Sequence, residues 1–202
     1  IMILFLFHFS KSFQSLSTPG YHSVNLKCKE QLDIFLSNGK FDCILIWSHS
    51  SDNDAVITVF KENRRHEFKL IGETTAIIKG DKAQISIFSK TTVHAWIIKK
   101  DICNMYSLMY TTPQFVKDTL GIKQGIDNIC LFFSNYNNQT KISLSFSKSK
   151  SSSRINVYSE SSPETALSSN LQSLSKQYNQ HFFLQITNPN DLINLDYEIT
   201  GE

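Results

Sequence analysis

Glycine is scarce in this chain, and the patterns it would form in common enzyme classes are missing. The sequence has 7 glycines among 202 residues, and they form no glycine-rich loop of the kind that binds nucleotide phosphates. The Gly-x-Ser-x-Gly elbow that presents the nucleophile of many serine hydrolases does not occur either. These absences predict a protein without a catalytic centre.

Metal-binding patterns are missing as well. No two cysteines have the C-x-x-C spacing of a zinc site. The histidines are scattered and have no acidic or cysteine neighbour at ligand spacing: His8, His22, His49, His66, His94 and His181. Residues 51–54 offer too few oxygen-bearing side chains for calcium, which takes about six to eight oxygens, so this segment is interpreted as a hairpin turn. We therefore predict no metal and no cofactor.

The chain has no excess of one charge and no long apolar run. Lys and Arg number 20 against 18 Asp and Glu, which gives a net charge of +2. This balance predicts no nucleic-acid partner. The local basic cluster at 61–65 also contains Glu62 and Asn63, as is typical of a solvated hairpin tip. No stretch reaches the ~20 apolar residues that a membrane span requires, so no transmembrane segment is predicted.

The first residues have the features of a secretory signal peptide. An apolar run at 3–9 is followed by small residues at 15–17, which is typical of a hydrophobic region and its cleavage site. We interpret residues 1–17 as a signal peptide and expect a secreted or cell-surface protein. The alternative is a first β-strand, because the apolar side chains of this run also alternate.

A repeated segment organises the rest of the sequence. Cys43 and Cys130 each open a run of bulky apolar residues that ends in serine, and they lie 87 positions apart. The alternating runs that follow end at Phe60 and Phe146, which are 86 positions apart. The chain is also rich in strand-forming aromatics, with 15 Phe and 7 Tyr. The two offsets predict tandem copies of one β unit.

Short strands separated by polar turns indicate an all-β fold of two tandem antiparallel β-sandwich units of the jelly-roll type. Unit 1 is predicted to span residues 20–100 and unit 2 residues 126–202. In unit 1 we expect an opening strand at 21–27 and further strands at 41–48, 55–61, 66–71, 74–79, 83–89 and 92–99.

Three segments are predicted to lie outside the strands. Residues 101–125 are interpreted as a linker and the arm that leads into unit 2, with helical turns at 113–120 because Pro113 suits a first helical position. Residues 31–37 are expected to form a helical turn or loop. The Ser-, Asn- and Gln-rich segment 159–179 is expected to form a surface loop.

Four cysteines, Cys28, Cys43, Cys103 and Cys130, allow three disulfide pairings. In the repeat, each unit begins near one cysteine and reaches its apolar strand at the second. This placement favours the bridges Cys28–Cys43 and Cys103–Cys130, each worth about 3 kcal/mol in the chain-entropy model. The alternative is four reduced, buried thiols in a cytosolic protein.

The order of features in the second half resembles a CUB domain. A cysteine opens an apolar strand, an alternating strand follows, and Ile155-Asn156-Val157-Tyr158 and a strand containing Tyr197 come later. The resemblance covers about 103–199 and, more faintly, 28–99. It implies an extracellular β-sandwich whose first disulfide joins the leading arm to the opening strand, as the spacing of Cys103 and Cys130 suggests. Neither unit contains the family's second cysteine pair or its acidic calcium pattern.

Candidate binding residues lie in the loops that follow the two apolar strands: His49, Asp52, Asp54, Asn135 and Asn137. Asn138 begins an Asn-x-Thr tripeptide, the acceptor for N-glycosylation, so we expect a glycoprotein.

Trp47 and Trp96 lie in apolar strands, which favours core packing, and Trp47 and Phe132 are expected to face inward. Exposure of these tryptophans or of Phe183 would instead indicate a platform for stacking sugars.

These features together predict a recognition or scaffold module that binds a protein partner through loops or a sheet face. The alternative is a carbohydrate-binding module. Part of a secreted hydrolase, or an inhibitor, is a third hypothesis without a motif to support it.

Overall fold

The computed structural model of this chain describes residues 13–37, 39–47, 55–70, 75–111, 116–122, 128–135, 140–147, 154–159, 173–178, 181–187 and 193–201. These residues form seventeen β-strands and no helix, which confirms the predicted all-β class. In this part of the chain there is accordingly no helix long and apolar enough to cross a membrane.

The strands up to residue 99 are β1 Phe13–Leu16, β2 Gly20–Leu26, β3 Gln31–Phe35, β4 Phe41–Trp47, β5 Ala55–Lys61, β6 Arg64–Leu70, β7 Thr75–Lys79, β8 Lys82–Ile87 and β9 Thr91–Lys99. The later strands are β10 Met105–Thr111, β11 Val116–Ile122, β12 Ile129–Asn135, β13 Thr140–Ser147, β14 Arg154–Ser159, β15 Ser173–Tyr178, β16 Phe182–Thr187 and β17 Ile193–Gly201. The strands predicted between residues 41 and 99 are all present, as β4 to β9.

The chain divides into two compact units. Unit 1 consists of residues up to Ser17 together with His22–Ala95, and unit 2 of Thr18–Tyr21 together with Trp96–Glu202. The beginning of β2 and the end of β9 therefore belong to unit 2.

Unit 1 is built on a five-stranded sheet in the order β1-β3-β8-β5-β6 and a four-stranded sheet in the order β2-β9-β4-β7. β1 runs parallel to β3, whereas β8 is antiparallel to both β3 and β5. Unit 2 has two four-stranded sheets, β10-β12-β16-β14 and β11-β17-β13-β15. Here β10 runs parallel to β12.

The two units share one strand order once β6 is set aside. The order β1-β3-β8-β5 corresponds to β10-β12-β16-β14, and β2-β9-β4-β7 corresponds to β11-β17-β13-β15. The first residues of β4 and β13 are 99 positions apart, as are those of β5 and β14. The predicted match of the strands opening at Cys43 and Cys130 is therefore wrong, because β12 corresponds to β3 and not to β4.

Segments predicted to be irregular contain strands. Residues 101–125 include β10 and β11, and β11 pairs along its whole length with β17, so the helical turns predicted at 113–120 are wrong. Residues 31–35 form β3 instead of a helical turn, and the expected loop at 159–179 includes β15, which pairs with β13. For β11 and β15, pairing with a neighbouring strand overrides a weak local preference, whereas β3 has the apolar–polar alternation of a strand.

The core of unit 1 follows from strict alternation in β3 and β8. Leu32 and Ile34 of β3 are fully buried, as are Ala83 and Ile85 of β8. Their neighbours along each strand point to the opposite face, because successive side chains in a strand alternate. One face of this sheet thus packs in the core and the other is left for polar residues.

Gly80 and Asp81, which form the turn between β7 and β8, contact the ends of three strands of the five-stranded sheet. A Cβ at Gly80 would lie 2.8 Å from the Phe60 carbonyl oxygen, so only glycine allows the close approach. The Asp81 N–H donates to that carbonyl at 2.8 Å, and the Asp81 carbonyl accepts from the Leu36 N–H at 2.9 Å. The Asp81 carboxylate accepts from the Glu62 N–H at 2.9 Å. One turn therefore positions the ends of β3, β5 and β6.

Residues 1–12 of the predicted signal peptide lie outside the described residues. Phe13–Leu16, in the predicted cleavage region, form β1 and pair with β3 from Gln31 to Ile34. The signal peptide stays a prediction, and cleavage after Ser17 would remove β1 from the mature protein.

Candidate recognition face

The outward face of the five-stranded sheet of unit 1 is an ordered grid of polar, charged and aromatic side chains. Its three cross-strand rows, called the recognition face below, are Phe35, Lys82, Phe60 and Arg65; Asp33, Gln84, Thr58 and Glu67; and Gln31, Ser86, Val56 and Lys69. The burial patterns of β3 and β8 place the members from these two strands opposite the core, while Thr58 of β5 is only 5% exposed. The alternation Gln31-Leu32-Asp33-Ile34-Phe35 is the sequence signal for this face, which the sequence interpretation missed.

Asp33 is the centre of a hydrogen-bond network on this face. Its carboxylate accepts from Lys82 Nζ at 2.6 Å, from Gln31 Nε2 at 2.9 Å and from Gln84 Nε2 at 3.1 Å. Partial burial alone would raise the pKa of Asp33, but the hydrogen bonds from Lys82, Gln31 and Gln84 and the charge of Lys82 outweigh it and lower the pKa below its usual value. Asp33 is therefore ionised near neutral pH and fixes the orientation of its three partners.

Lys82 also lies between two aromatic rings. Its Nζ is 5.0 Å from the centroid of the Phe35 ring and 6.0 Å from that of Phe60. Both distances are within reach of a cation–π attraction. The Lys82 side chain is 29% exposed in its ion pair with Asp33, whereas Phe35 is 43% exposed. An apolar ring is thus presented beside a fixed cation.

The β5–β6 hairpin extends the face toward solvent. Glu62 and Asn63 have φ angles of 48° and 64°, as a two-residue type I′ turn requires. Arg65 Nη2 and Glu67 Oε2 form an ion pair at 2.6 Å, with exposed fractions of 65% and 50%. The prediction of a solvated hairpin tip at 61–65 is confirmed.

Two of the three aromatic residues considered for a sugar platform lie in the interior of unit 2. Trp96 and Phe183 are fully buried, and so is Phe132, as predicted. The ring centroid of Trp96 is 5.5 Å from that of Phe183 and 5.7 Å from that of Phe132. Tyr21 is 5.4 Å from Trp96 and stacks on His181 at 3.6 Å. Core packing is thus confirmed for Trp96, while the Trp47 side chain lies outside the described residues.

A disulfide joins Cys103 to Cys130 in unit 2, with a Cα–Cα distance of 5.5 Å. The predicted pairing of these two cysteines is confirmed. The bridge links the segment before β10 to β12. The strands β10 and β12 are neighbours in the sheet.

Gln185 supports this bridge from β16. Its Nε2 donates to the carbonyl of Ile102, next to Cys103, at 2.6 Å. Its Oε1 accepts from Asn156 Nδ2 at 2.9 Å and from the Tyr158 hydroxyl at 3.0 Å. Burial raises the pKa of Tyr158, although the Asn156 hydrogen bond opposes this, so the hydroxyl stays protonated and donates.

The predicted bridge Cys28–Cys43 does not form. Both thiols are free, with Cys28 exposed and Cys43 buried, and the Cys28 thiol donates to the Phe88 carbonyl at 2.9 Å. Cys28 comes shortly after β2 and Cys43 lies in β4, and in the sheet β9 lies between β2 and β4. Two strand spacings amount to about 10 Å, beyond the ~7 Å limit for the Cα atoms of a disulfide. Burial, followed by the charge of Asp42, raises the pKa of Cys43, which keeps this thiol protonated.

Most residues of the binding loops proposed from the sequence lie outside the described residues. His49, Asp52, Asp54, Asn137 and the glycosylation acceptor Asn138 fall outside the described residues. Asn135 is described only through its backbone, which ends β12 and pairs with Thr111. Their binding roles stay predictions. Among the described residues, no three His, Cys, Asp or Glu side chains are grouped to hold a metal ion.

Comparison with known proteins finds similarity of structure only. No protein-family model matches the chain, and no curated protein matches it. The CUB1-EGF-CUB2 domains of rat MASP-1 match at a TM-score of 0.31 and 8% identity, over 94% of this chain and 100% of that one.

Two further solved structures have comparable scores. The full extracellular region of zebrafish Gpr126/Adgrg6 has a TM-score of 0.32 and 9% identity, over 92% of this chain and 35% of that one. HutD from Pseudomonas fluorescens SBW25 has a TM-score of 0.32 and 14% identity, over 90% and 74%. The resemblance to CUB domains is thus a weak resemblance of fold.

Proposed function

We propose that this chain is a non-catalytic recognition module of a secreted or cell-surface protein, and that it binds a protein partner through the recognition face. The observation that carries the proposal is the arrangement around Lys82. A fixed cation, a fixed carboxylate on Asp33 and the exposed ring of Phe35 together suit a protein surface, where aromatic and charged anchors dominate binding.

The compartment is supported by the disulfide in unit 2. Disulfides persist in oxidising compartments and are rare in the cytosol, so Cys103–Cys130 favours an extracellular location.

Carbohydrate binding is the less favoured alternative. A stacking platform needs exposed aromatic rings, and Trp96 and Phe183 are buried. On the recognition face, Phe35 and Phe60 flank Lys82 and do not form an open row. This geometry favours a protein partner over a sugar.

Partner capture with paired phenylalanine variants tests the proposal. Phe35→Ser removes the exposed ring of the recognition face, while Phe88→Ser removes a 61% exposed ring that directly follows β8, outside the three rows of this face. We expect an extracellular protein captured by wild type and by Phe88→Ser to be lost with Phe35→Ser. The free energy of unfolding of both variants should lie within about 0.5 kcal/mol of that of wild type.

Two results would overturn the proposal. Equal capture by Phe35→Ser and Phe88→Ser would remove the recognition face from the interaction. Turnover of a substrate by the purified chain would contradict the non-catalytic assignment.

A further inference from the structure

β6 is an edge strand with an available backbone. In the described part of the chain it pairs with β5 on one side and with no strand on the other. Such an edge presents unpaired N–H and C=O groups that can accept a strand from another chain. Among the described residues of unit 2, no strand occupies the matching place beside β14.

The hairpin register identifies which backbone groups face this edge. Lys61 and Arg64 flank the two-residue turn and form its closing pair. Bonded and non-bonded pairs alternate along an antiparallel ladder. The backbone N–H and C=O groups of Arg65, Glu67 and Lys69 therefore point away from β5, toward the open edge.

The side chains of the same three residues lie on the recognition face. Residues 61–69 contain four cations, Lys61, Arg64, Arg65 and Lys69, against the carboxylates of Glu62 and Glu67. Glu67 is already paired with Arg65. The edge therefore favours an acidic partner strand.

Pairing of β6 with a second copy of itself depends on the register. Antiparallel pairing of two copies about Glu67 would set one Glu67 opposite the other and each Arg65 opposite a Lys69, and like charges directly opposite each other are destabilising. Pairing about His66 or Phe68 would set Glu67 opposite Arg65 or Lys69, but Glu67 is already paired with Arg65 in its own strand. A strand with carboxylates at the two ends of this triplet meets Arg65 and Lys69 at once, so the edge favours it over a second copy.

We propose that β6 binds an extended acidic segment of the partner protein as an added strand of the five-stranded sheet. Carboxylates of that segment lie opposite Arg65 and Lys69, and a neutral or basic residue lies opposite Glu67. This inference rests on the proposed function and specifies the chemistry of the partner.

The test uses a synthetic peptide of about eight residues, made of Thr and Val with two glutamates separated by three residues, as Arg65 and Lys69 are. Its binding to the full chain is measured by fluorescence anisotropy. Glu67→Pro removes an N–H that faces the edge, a position where proline is tolerated, while the matched control Glu67→Ala keeps that N–H. We expect Glu67→Pro to weaken binding at least about tenfold relative to Glu67→Ala.

A second pair of variants tests the role of charge. Arg65→Gln with Lys69→Gln should weaken peptide binding about threefold to tenfold and reduce its dependence on salt. Lys29→Gln with Lys90→Gln makes the same change in net charge at exposed residues outside β6, and it should leave the affinity unchanged. Circular dichroism of every variant establishes that the fold is retained.

Equal affinity of Glu67→Pro and Glu67→Ala would overturn strand addition at β6. An equal loss of affinity in the two double Gln variants would also overturn it, because it would indicate nonspecific attraction of the peptide to a basic chain. Either failure is separate from that of the proposed function, since loss of partner capture in Phe35→Ser depends on the ring and not on the β6 backbone.

Discussion

Units 1 and 2 order their strands in the same way, yet the corresponding strands β8 and β16 are buried differently. In β8, buried residues alternate with half-buried ones, whereas in β16 the first five residues are all buried. The sequences differ accordingly, since Lys82, Gln84 and Ser86 alternate with apolar residues while Phe182, Phe183 and Leu184 follow each other. Strand order therefore does not determine which face of a sheet meets solvent; the side-chain pattern does.

The units also differ in how their leading arms are held. In unit 2, the disulfide Cys103–Cys130 fastens the arm before β10 to β12. In unit 1, β1 lies beside β3 through strand pairing, and the cysteines described there are free. In unit 2, β10 likewise lies beside β12 through parallel pairing, so the disulfide there is an addition to strand pairing.

The largest loss of stability is expected from a substitution in the interior of unit 2. Phe183→Ala removes a ring that stacks with Phe132 and Tyr158 at 4.9 and 4.6 Å. It should lower the free energy of unfolding by about 3–5 kcal/mol, as measured by chemical denaturation. On the corresponding strand of unit 1, Gln84→Ala should cost about 1 kcal/mol. Similar losses in the two variants would contradict the difference in burial.

Loss of the disulfide should come next. Cys103→Ala with Cys130→Ala should destabilise unit 2 by about 2–4 kcal/mol, and reducing agent should affect wild type but not this variant. Peptide mapping under non-reducing conditions should find one bridge. Cys28 should be alkylated in the folded protein and Cys43 only after unfolding. A Cys28–Cys43 peptide would contradict the structure.

Acid should weaken unit 1 through His94. Burial lowers the pKa of His94 to about 4, whereas the unfolded chain takes up this proton near pH 6.5. The unfolded state therefore binds more protons in this window, and stability falls as the pH drops from about 6.5 to about 4, by about 2–3 kcal/mol in total.

The variant His94→Gln isolates this effect. Denaturation across the same pH range should have a smaller slope in the variant than in wild type. Folding lowers the pKa of Asp33, so its contribution to stability is lost only below the unfolded pKa of about 3.8. Asp33 therefore does not affect the slope between about pH 6.5 and pH 4. An unchanged slope would assign the acid sensitivity to other groups.

The smallest effect is expected on the recognition face. Lys82→Ala removes the ion pair with Asp33 and the contact with two rings, and it should cost only about 1 kcal/mol because the pair is partly exposed. The same variant should weaken partner capture much more than it weakens folding. A large loss of stability would indicate that this face serves structure and not recognition.

The strands between residues 41 and 99 were predictable because alternation and turn residues mark them directly. The same alternation would have located the recognition face, since Asp33 and Phe35 stand between Leu32 and Ile34. The strand β10 was missed although its two tyrosines, Leu108 and Thr111 suit a strand. The strands β11 and β15 have weaker local signals, and pairing with β17 and β13 makes them extended. The Cys28–Cys43 bridge was predicted wrongly because the repeat was aligned on the apolar runs at Cys43 and Cys130, which lie in strands that do not correspond.

The sequence by itself determined the all-β class and the core packing of Trp96, because burial and strand formation follow from local apolar patterns. Only the tertiary structure decided which strands correspond, that β9 separates β2 from β4, and that Lys82 lies between Phe35 and Phe60. These features depend on sheet order and register, which bring together residues far apart in the chain and which no local pattern encodes.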